Sequence, residues 1–238
     1  MNQQEKKQIL RDAQEWFTTS IAANHIKNTR KLVDPSKLTI NPFTVVYLAN
    51  FLTGRSDAIG IAKALVYPRV LGSSISTSFG TGMQNFVSNV LSAYGSTTSG
   101  IDIEFIDALD GHKKFCQLKA GPNTINKDDV ETIHSHFAAI QRLSTTNNVR
   151  VTSSDLIVGV IYGDESQLNA NYKSLEHKHC HTVTIGTNFW HRLTGDDSFY
   201  LDIIRDINVV AVNADFTDEL ENIIAELATK PEILALVR

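Results

Sequence analysis

Between residues 100 and 120 the chain alternates apolar with polar side chains in two short runs, Gly100-Ile101-Asp102-Ile103-Glu104-Phe105-Ile106 and Phe115-Cys116-Gln117-Leu118-Lys119-Ala120. A period of two carried by β-branched and aromatic residues predicts strands, and the intervening Asp110-Gly111 predicts a hairpin. With those two residues as the loop, Asp102 opposes Lys119 and Glu104 opposes Gln117. The four then share a polar face, while Ile101, Ile103, Phe105, Cys116, Leu118 and Ala120 line the core face. A loop of odd length would turn half of the hydrophobic set outward, so the pattern requires an even one.

Elsewhere the helical period dominates. Residues 5–26 carry Ile9, Ala13, Trp16, Phe17 and Ile21 at helical spacing. Asn41-Pro42 opens a short buried helix over 43–52 that ends near Gly54, and Pro68 stops a further helix over 59–67. Amphipathic helices are expected over 83–94 and after Asn126, the second with Val130, Ile133, Phe137 and Ile140 as its stripe. The run 155–163 is apolar, as a strand covered on both faces would be, and 182–185 reads as another strand. Helices follow over 188–195, 198–212 and 218–228, with a strand over 207–212 as the alternative. Hairpin, helix and buried strand in that order predict an α/β (α+β) mixed sheet with helices packed on it. One domain is expected over 1–238: a helical segment 1–70, a core 71–187 and C-terminal helices 188–238 that either close the fold or make a dimer.

Composition narrows this picture modestly. With 42% hydrophobic and 20% charged residues the chain reads as an ordinary globular protein able to bury a core. The N-terminus lacks a signal-like apolar stretch and no run approaches the ~18 apolar residues of a membrane span, so a cytoplasmic protein without a membrane partner is expected. Two cysteines, Cys116 and Cys180, fit free thiols in a reducing compartment. A net charge of −4 argues against nucleic acid, but a local cleft on an acidic body can still be positive.

The polar face of the hairpin carries the candidate chemistry. Asp102 and the Gln117 carbonyl are hard oxygen donors suited to Mg2+, and the Lys119 ammonium can stabilise charge building on a phosphate. A merely solvated hairpin face is the competing reading. The segment 70–82 is crowded with Gly, Ser and Thr, which suits either a plain loop or contact with a DNA backbone through Arg69, Ser73, Ser76 and Thr77. It lacks a Gly-Lys-Ser/Thr ending, so no nucleotide cofactor is expected. Asn123, just past the second run, is a further DNA-contacting candidate. His177-Lys178-His179-Cys180-His181 has the look of a zinc cluster but lacks a second ligand group at zinc spacing, and DNA contact by Lys178 from a loop is the preferred reading. His134 and His136 read as surface or groove residues.

Asp102, fourteen intervening residues and Gln117-Leu118-Lys119 together resemble the PD-(D/E)XK nuclease signature, with Ser99-Gly100-Ile101-Asp102 in place of Pro-Asp and Gln117 in place of the usual carboxylate. Tyr67-Pro68-Arg69-Val70-Leu71-Gly72, Thr77-Ser78-Phe79-Gly80-Thr81, Gln117-Leu118-Lys119-Ala120-Gly121-Pro122 and Phe189-Trp190-His191-Arg192-Leu193-Thr194-Gly195 resemble one family of type II restriction endonucleases that cuts palindromes of the GGNCC kind. The resemblance runs from about residue 41 to 200. It implies a restriction-endonuclease-like mixed central sheet flanked by helices, Mg2+-dependent hydrolysis of double-stranded DNA, and a homodimer. It assigns Asp102 as principal metal ligand, Gln117 and the Leu118 carbonyl as supporting ligands, Lys119 as charge stabiliser and Glu104 as a fourth member, with Gln84 facing the site from a preceding helix. The alternatives are a catalytically inactive DNA-binding or regulatory protein on a nuclease-like fold, in which the amide has removed catalysis, and a repair or recombination nuclease.

Overall fold

The computed structural model describes residues 1–90, 94–96, 98–146, 148, 150–212 and 215–237. In chain order its α-helices are α1 (Gln3–Trp16), α2 (Ala23–Arg30), α3 (Val45–Thr53), α4 (Ala58–Pro68), α5 (Ile75–Val90), α6 (Lys127–Thr146), α7 (Ala170–His179), α8 (Thr187–Thr194), α9 (Phe199–Val212), α10 (Thr217–Ala228) and α11 (Pro231–Leu234). The strands are β1 (Tyr94–Gly95), β2 (Ile103–Ile106), β3 (Lys113–Lys119), β4 (Leu156–Val160) and β5 (Thr182–Ile185). The chain forms two compact units, one of residues 1–15 with 80–208 and one of 16–79 with 209–238. No helix among the described residues is long and apolar enough to cross a membrane.

The first unit holds the sheet, in the order β1-β2-β3-β4-β5. β1, β2 and β3 are antiparallel neighbours, whereas β3–β4 and β4–β5 are parallel. This is the expected mixed sheet flanked by helices. Every residue of β4 is buried, as its continuous apolar run requires. One face of the sheet is covered by α6 and α7, whose Val130, Ile133, Phe137, Ile140, Tyr172 and Leu175 share a core with Leu156, Val158 and Val160. On the other face α8 places Phe189 against β4. There Gly159 is required by close approach, since a Cβ would lie 2.4 Å from the Phe189 ring and 2.9 Å from Cys116 Sγ. Trp190 donates its indole N–H to the Ile161 carbonyl (2.8 Å) and meets Phe86 and Phe199 at tilted angles.

The hairpin register differs from expectation by two residues. Ile103 pairs with Cys116, Glu104 with Phe115, Phe105 with Lys114 and Ile106 with Lys113, so the connection is 107–112 rather than Asp110-Gly111 alone. A contact distant in sequence accounts for the wider turn. Asp107 is fully buried, accepts from the Leu109 N–H, and receives the Arg192 guanidinium from α8 at 2.5 Å; the Ala108 N–H donates to the Arg192 carbonyl. Because the slip is even, side chains keep their faces. Lys114 falls on the buried side, 1% exposed, between Asp110 (2.8 Å) and Asp155 (3.1 Å). Ile101 is a further correction: it joins the α6 core instead of the opposite face.

The second unit is helical, with Val45, Ala49, Ile61, Ala62, Val66, Ile223, Ile224 and Leu227 at its centre. Two expectations fail here. The segment 70–82 is no loop: a π-helical turn over Arg69–Ser74 follows Pro68, and α5 starts at Ile75 instead of near residue 83. A wide turn accommodates a proline that lacks an N–H, and Val70, 5% exposed, anchors it in the core. Nor is α3 buried throughout, because Phe43 just before it and Tyr47 and Phe51 on it are 93%, 66% and 76% exposed. The segment 207–212 is helical, as part of α9.

Ion pairs that are buried or half-buried give the first unit an acid dependence. Burial pushes the Asp155 carboxyl up, but the Thr152 hydroxyl and N–H and the Lys114 ammonium overcome this and bring it down to about 2. Lys6 holds Asp196 at about 2 against the opposing effect of burial. Both values lie below that of an unfolded Asp, so their stabilisation is intact above about pH 4 and lost as pH falls toward 2. Lys114→Met is expected to lose about 3–5 kcal/mol at neutral pH, having left a buried carboxylate without its cation, and to flatten the decline between pH 4 and 2. Urea unfolding followed by circular dichroism across that range measures both effects.

Candidate active site

A cleft of about 280 Å³ opens between the hairpin and α6. Gly100, Ile101, Asp102, Gln117 and Lys119 line it from below, and Asp129, Thr132, Ile133 and His136 from the helix. The helix is fixed at its N-terminus by Asn126, whose side chain accepts from the N–H groups of Asp128 (2.8 Å) and Asp129 (3.0 Å), while Asp129 Oδ2 accepts from the Asn126 N–H. From there Asp129, Thr132 and His136 follow at spacings of three and four, on the flank of the buried stripe.

Asp102 immediately precedes β2, and its N–H donates to the Cys116 carbonyl at 3.0 Å. One carboxylate oxygen accepts from the Leu118 N–H at 2.7 Å. Burial raises the Asp102 carboxyl above its ordinary value, and the Leu118 N–H and Lys119 counter this only in part. The site therefore presents a carboxylate whose charged form burial disfavours. Gln117 is 5% exposed, and its Nε2 lies 3.1 Å from His136 Nδ1. Gln117 is thus covered, while Asp102 and Lys119 stay half-buried in the cleft.

The observed register places Asp102 beside Gln117, with Lys119 one step further along the same face. These three residues meet in the cleft. Glu104 does not line it; its carboxylate accepts from Ser96 (2.6 Å) and Thr98 (3.4 Å) and pairs with Lys113 (2.6 Å). Leu118 turns its side chain into the core and offers the site its N–H. Among the proposed DNA contacts, Asn123 is exposed in the turn after β3, and Lys178 is exposed in the last turn of α7, which is helix where a loop was expected. Arg69, Ser73, Ser76 and Thr77 are exposed in the second unit, with Arg69 donating to Ser73 Oγ at 3.1 Å. The Gln84 side chain lies outside the described residues.

Of the histidine-rich run, His179 and His181 meet His134, with His134 Nδ1 at 3.0 Å from His181 Nε2. Burial, with His134 and His179 nearby, lowers His181 to about 4. Among the described residues no three His, Cys, Asp or Glu side chains are placed to hold a metal ion. The cleft offers a smaller donor set, the Asp102 carboxylate and the Gln117 amide, with Asp129 on its rim. That set fits a hard divalent cation such as Mg2+, which takes one or two carboxylates and completes its shell with water and phosphate oxygens.

His136, Thr132 and Asp129 are the site residues that sequence reasoning missed. Reading His134 and His136 simply as surface or groove residues passed over the available signal: a polar stripe at helical spacing beside the core stripe of the same helix.

Ionised Asp102 is disfavoured by its surroundings, so at neutral pH it costs the fold stability. Asp102→Asn keeps an acceptor for the Leu118 N–H and removes the charge. The variant is expected to melt no lower than the wild type in the absence of divalent ions, and a loss of several degrees would show that the carboxylate is held by stabilising partners.

A family model described as Type II restriction endonuclease EcoO109I matches residues 46–215. No individually curated protein matches the chain.

Proposed function

The chain belongs to the EcoO109I family of type II restriction endonucleases, and from that membership we propose that it hydrolyses phosphodiester bonds in double-stranded DNA, with Mg2+, at a short palindrome of the GGNCC kind. The observation that carries the chemistry is the Asp102 carboxylate beside the Gln117 amide and Lys119 in one cleft. Asp102 and the Gln117 carbonyl would hold the cation. Bound there, it supplies a Lewis acid for the phosphate and a water of lowered pKa. Lys119 stands on the same face and stabilises negative charge as the phosphorus gains its fifth oxygen. The Leu118 N–H orients Asp102, which leaves the carboxylate in place when substrate arrives.

A palindromic target matches a two-fold axis, with one cleft for each strand. The exposed aromatic stripe of Phe43, Tyr47 and Phe51 supports a homodimer, as a surface that association would bury. The amide at position 117 keeps one other reading in view, a DNA binder that has lost cleavage.

Plasmid cleavage with Mg2+ distinguishes these readings. Lys119→Ala is expected to slow cleavage by about 10²–10³-fold with little change in Mg2+ affinity, and Asp102→Ala to abolish both. Intact supercoiled plasmid at high wild-type enzyme in Mg2+ and in Mn2+ would favour the binder, and sequencing the cut ends tests the GGNCC site. Light scattering is expected to show a dimer that Tyr47→Ser with Phe51→Ser converts to monomer. A wild-type monomer, free and on cognate DNA, would remove the dimer from the proposal.

A further inference from the structure

A carboxylate offers a metal two equivalent oxygens, whereas an amide has one oxygen and one nitrogen and must be held the right way round. Gln117 is such an amide, and its orientation is set from α6. Its Nε2 lies 3.1 Å from His136 Nδ1. An amide NH2 can only donate, so Nδ1 acts as the acceptor and the ring carries its proton on Nε2. Turning the amide over would bring its oxygen against the Nδ1 lone pair.

The ring itself is fixed from two sides. Gly100, at φ +79°, lies so close that a Cβ would be 2.2 Å from His136 Cγ and 2.3 Å from Nδ1. On the helix, Ile133 and Phe137 are 1% and 0% exposed, so α6 cannot rotate His136 away without opening the core. Gly100 is thus required both for its backbone conformation and for the space the imidazole occupies.

We propose that His136 is a positioning residue: by accepting from Gln117 Nε2 it leaves Oε1 as the end of the amide available to a divalent cation in the Asp102 cleft. The inference rests on the metal-dependent reading of that cleft. It also explains how an amide serves where one oxygen must be presented reliably. A carboxylate at position 117 would present oxygen in either orientation and would not need His136.

The test is a double-mutant cycle read by Mn2+ binding to DNA-free protein, by calorimetry and electron paramagnetic resonance, with thermal unfolding as a check on folding. His136→Leu is expected to weaken Mn2+ binding about 10–100-fold, as the loss of a partner behind a metal ligand does. His136→Asn puts an acceptor where Nδ1 stood and is expected to stay within about threefold of the wild type. In a Gln117→Glu background, His136→Leu is expected to change the affinity by less than about threefold. Equal losses in both backgrounds, no loss in the wild-type background, or no rescue by Asn in a folded variant would each overturn the role of His136. Absence of Mn2+ binding by the wild type, unchanged by Asp102→Asn, would instead overturn the metal-dependent reading and this inference with it.

Discussion

Helix α6 buries Val130, Ile133, Phe137 and Ile140 against β4 and, in doing so, covers Gln117 and shields part of the hairpin's polar face from water. Partial removal of solvent changes the character of the groups beneath it. Asp102 becomes a carboxylate whose charged form burial disfavours, Gln117 needs a partner for its amide, and the electrostatic influence of Lys119 is less screened than at an open surface. The same helix brings the residues that answer those needs, because the stripe that packs and the stripe that lines the cleft are adjacent on one cylinder. Packing and chemistry are therefore not separable along this helix.

The sheet supplies the other half of the arrangement. β3 has an antiparallel neighbour on one side and a parallel one on the other, and the change of direction occurs at the strand that carries Gln117 and Lys119. With β4 buried on both faces and Gly159 admitting Phe189, β3 has no freedom to shift toward or away from α6. One carboxylate and one amide keep their mutual geometry only while the strands and helix that carry them stay in place.

What could be read from the sequence followed local rules. The Val130-Ile133-Phe137-Ile140 stripe, the Asn126 cap, the apolar strand before Tyr162 and the Gly195 stop of α8 each arise from neighbours a few residues apart, and all appear where their pattern places them. What escaped depended on partners far along the chain. The hairpin register was set by Asp107 meeting Arg192, and nothing within the hairpin announces that ion pair. Gly, Ser and Thr around residues 72–82 argued for a loop by intrinsic propensity, yet the continuous helical path past Pro68 prevails. Asp102, Gln117 and Lys119 were legible because alternation preserves faces. Glu104 shares their face but is engaged by Ser96, Thr98 and Lys113, and face alone could not say so.

The turn at 107–112 illustrates how such a scaffold constrains its own history. An insertion or deletion of one residue there would exchange the two faces of β3, presenting Cys116 and Leu118 to the cleft and driving Gln117 and Lys119 toward Phe189. A change of two residues would leave the cleft chemistry in place and alter only how the tip meets α8. Length variation among descendants of this chain is thus filtered by parity before it is filtered by size, and the tip can diversify in steps of two while the face that lines the cleft stays fixed.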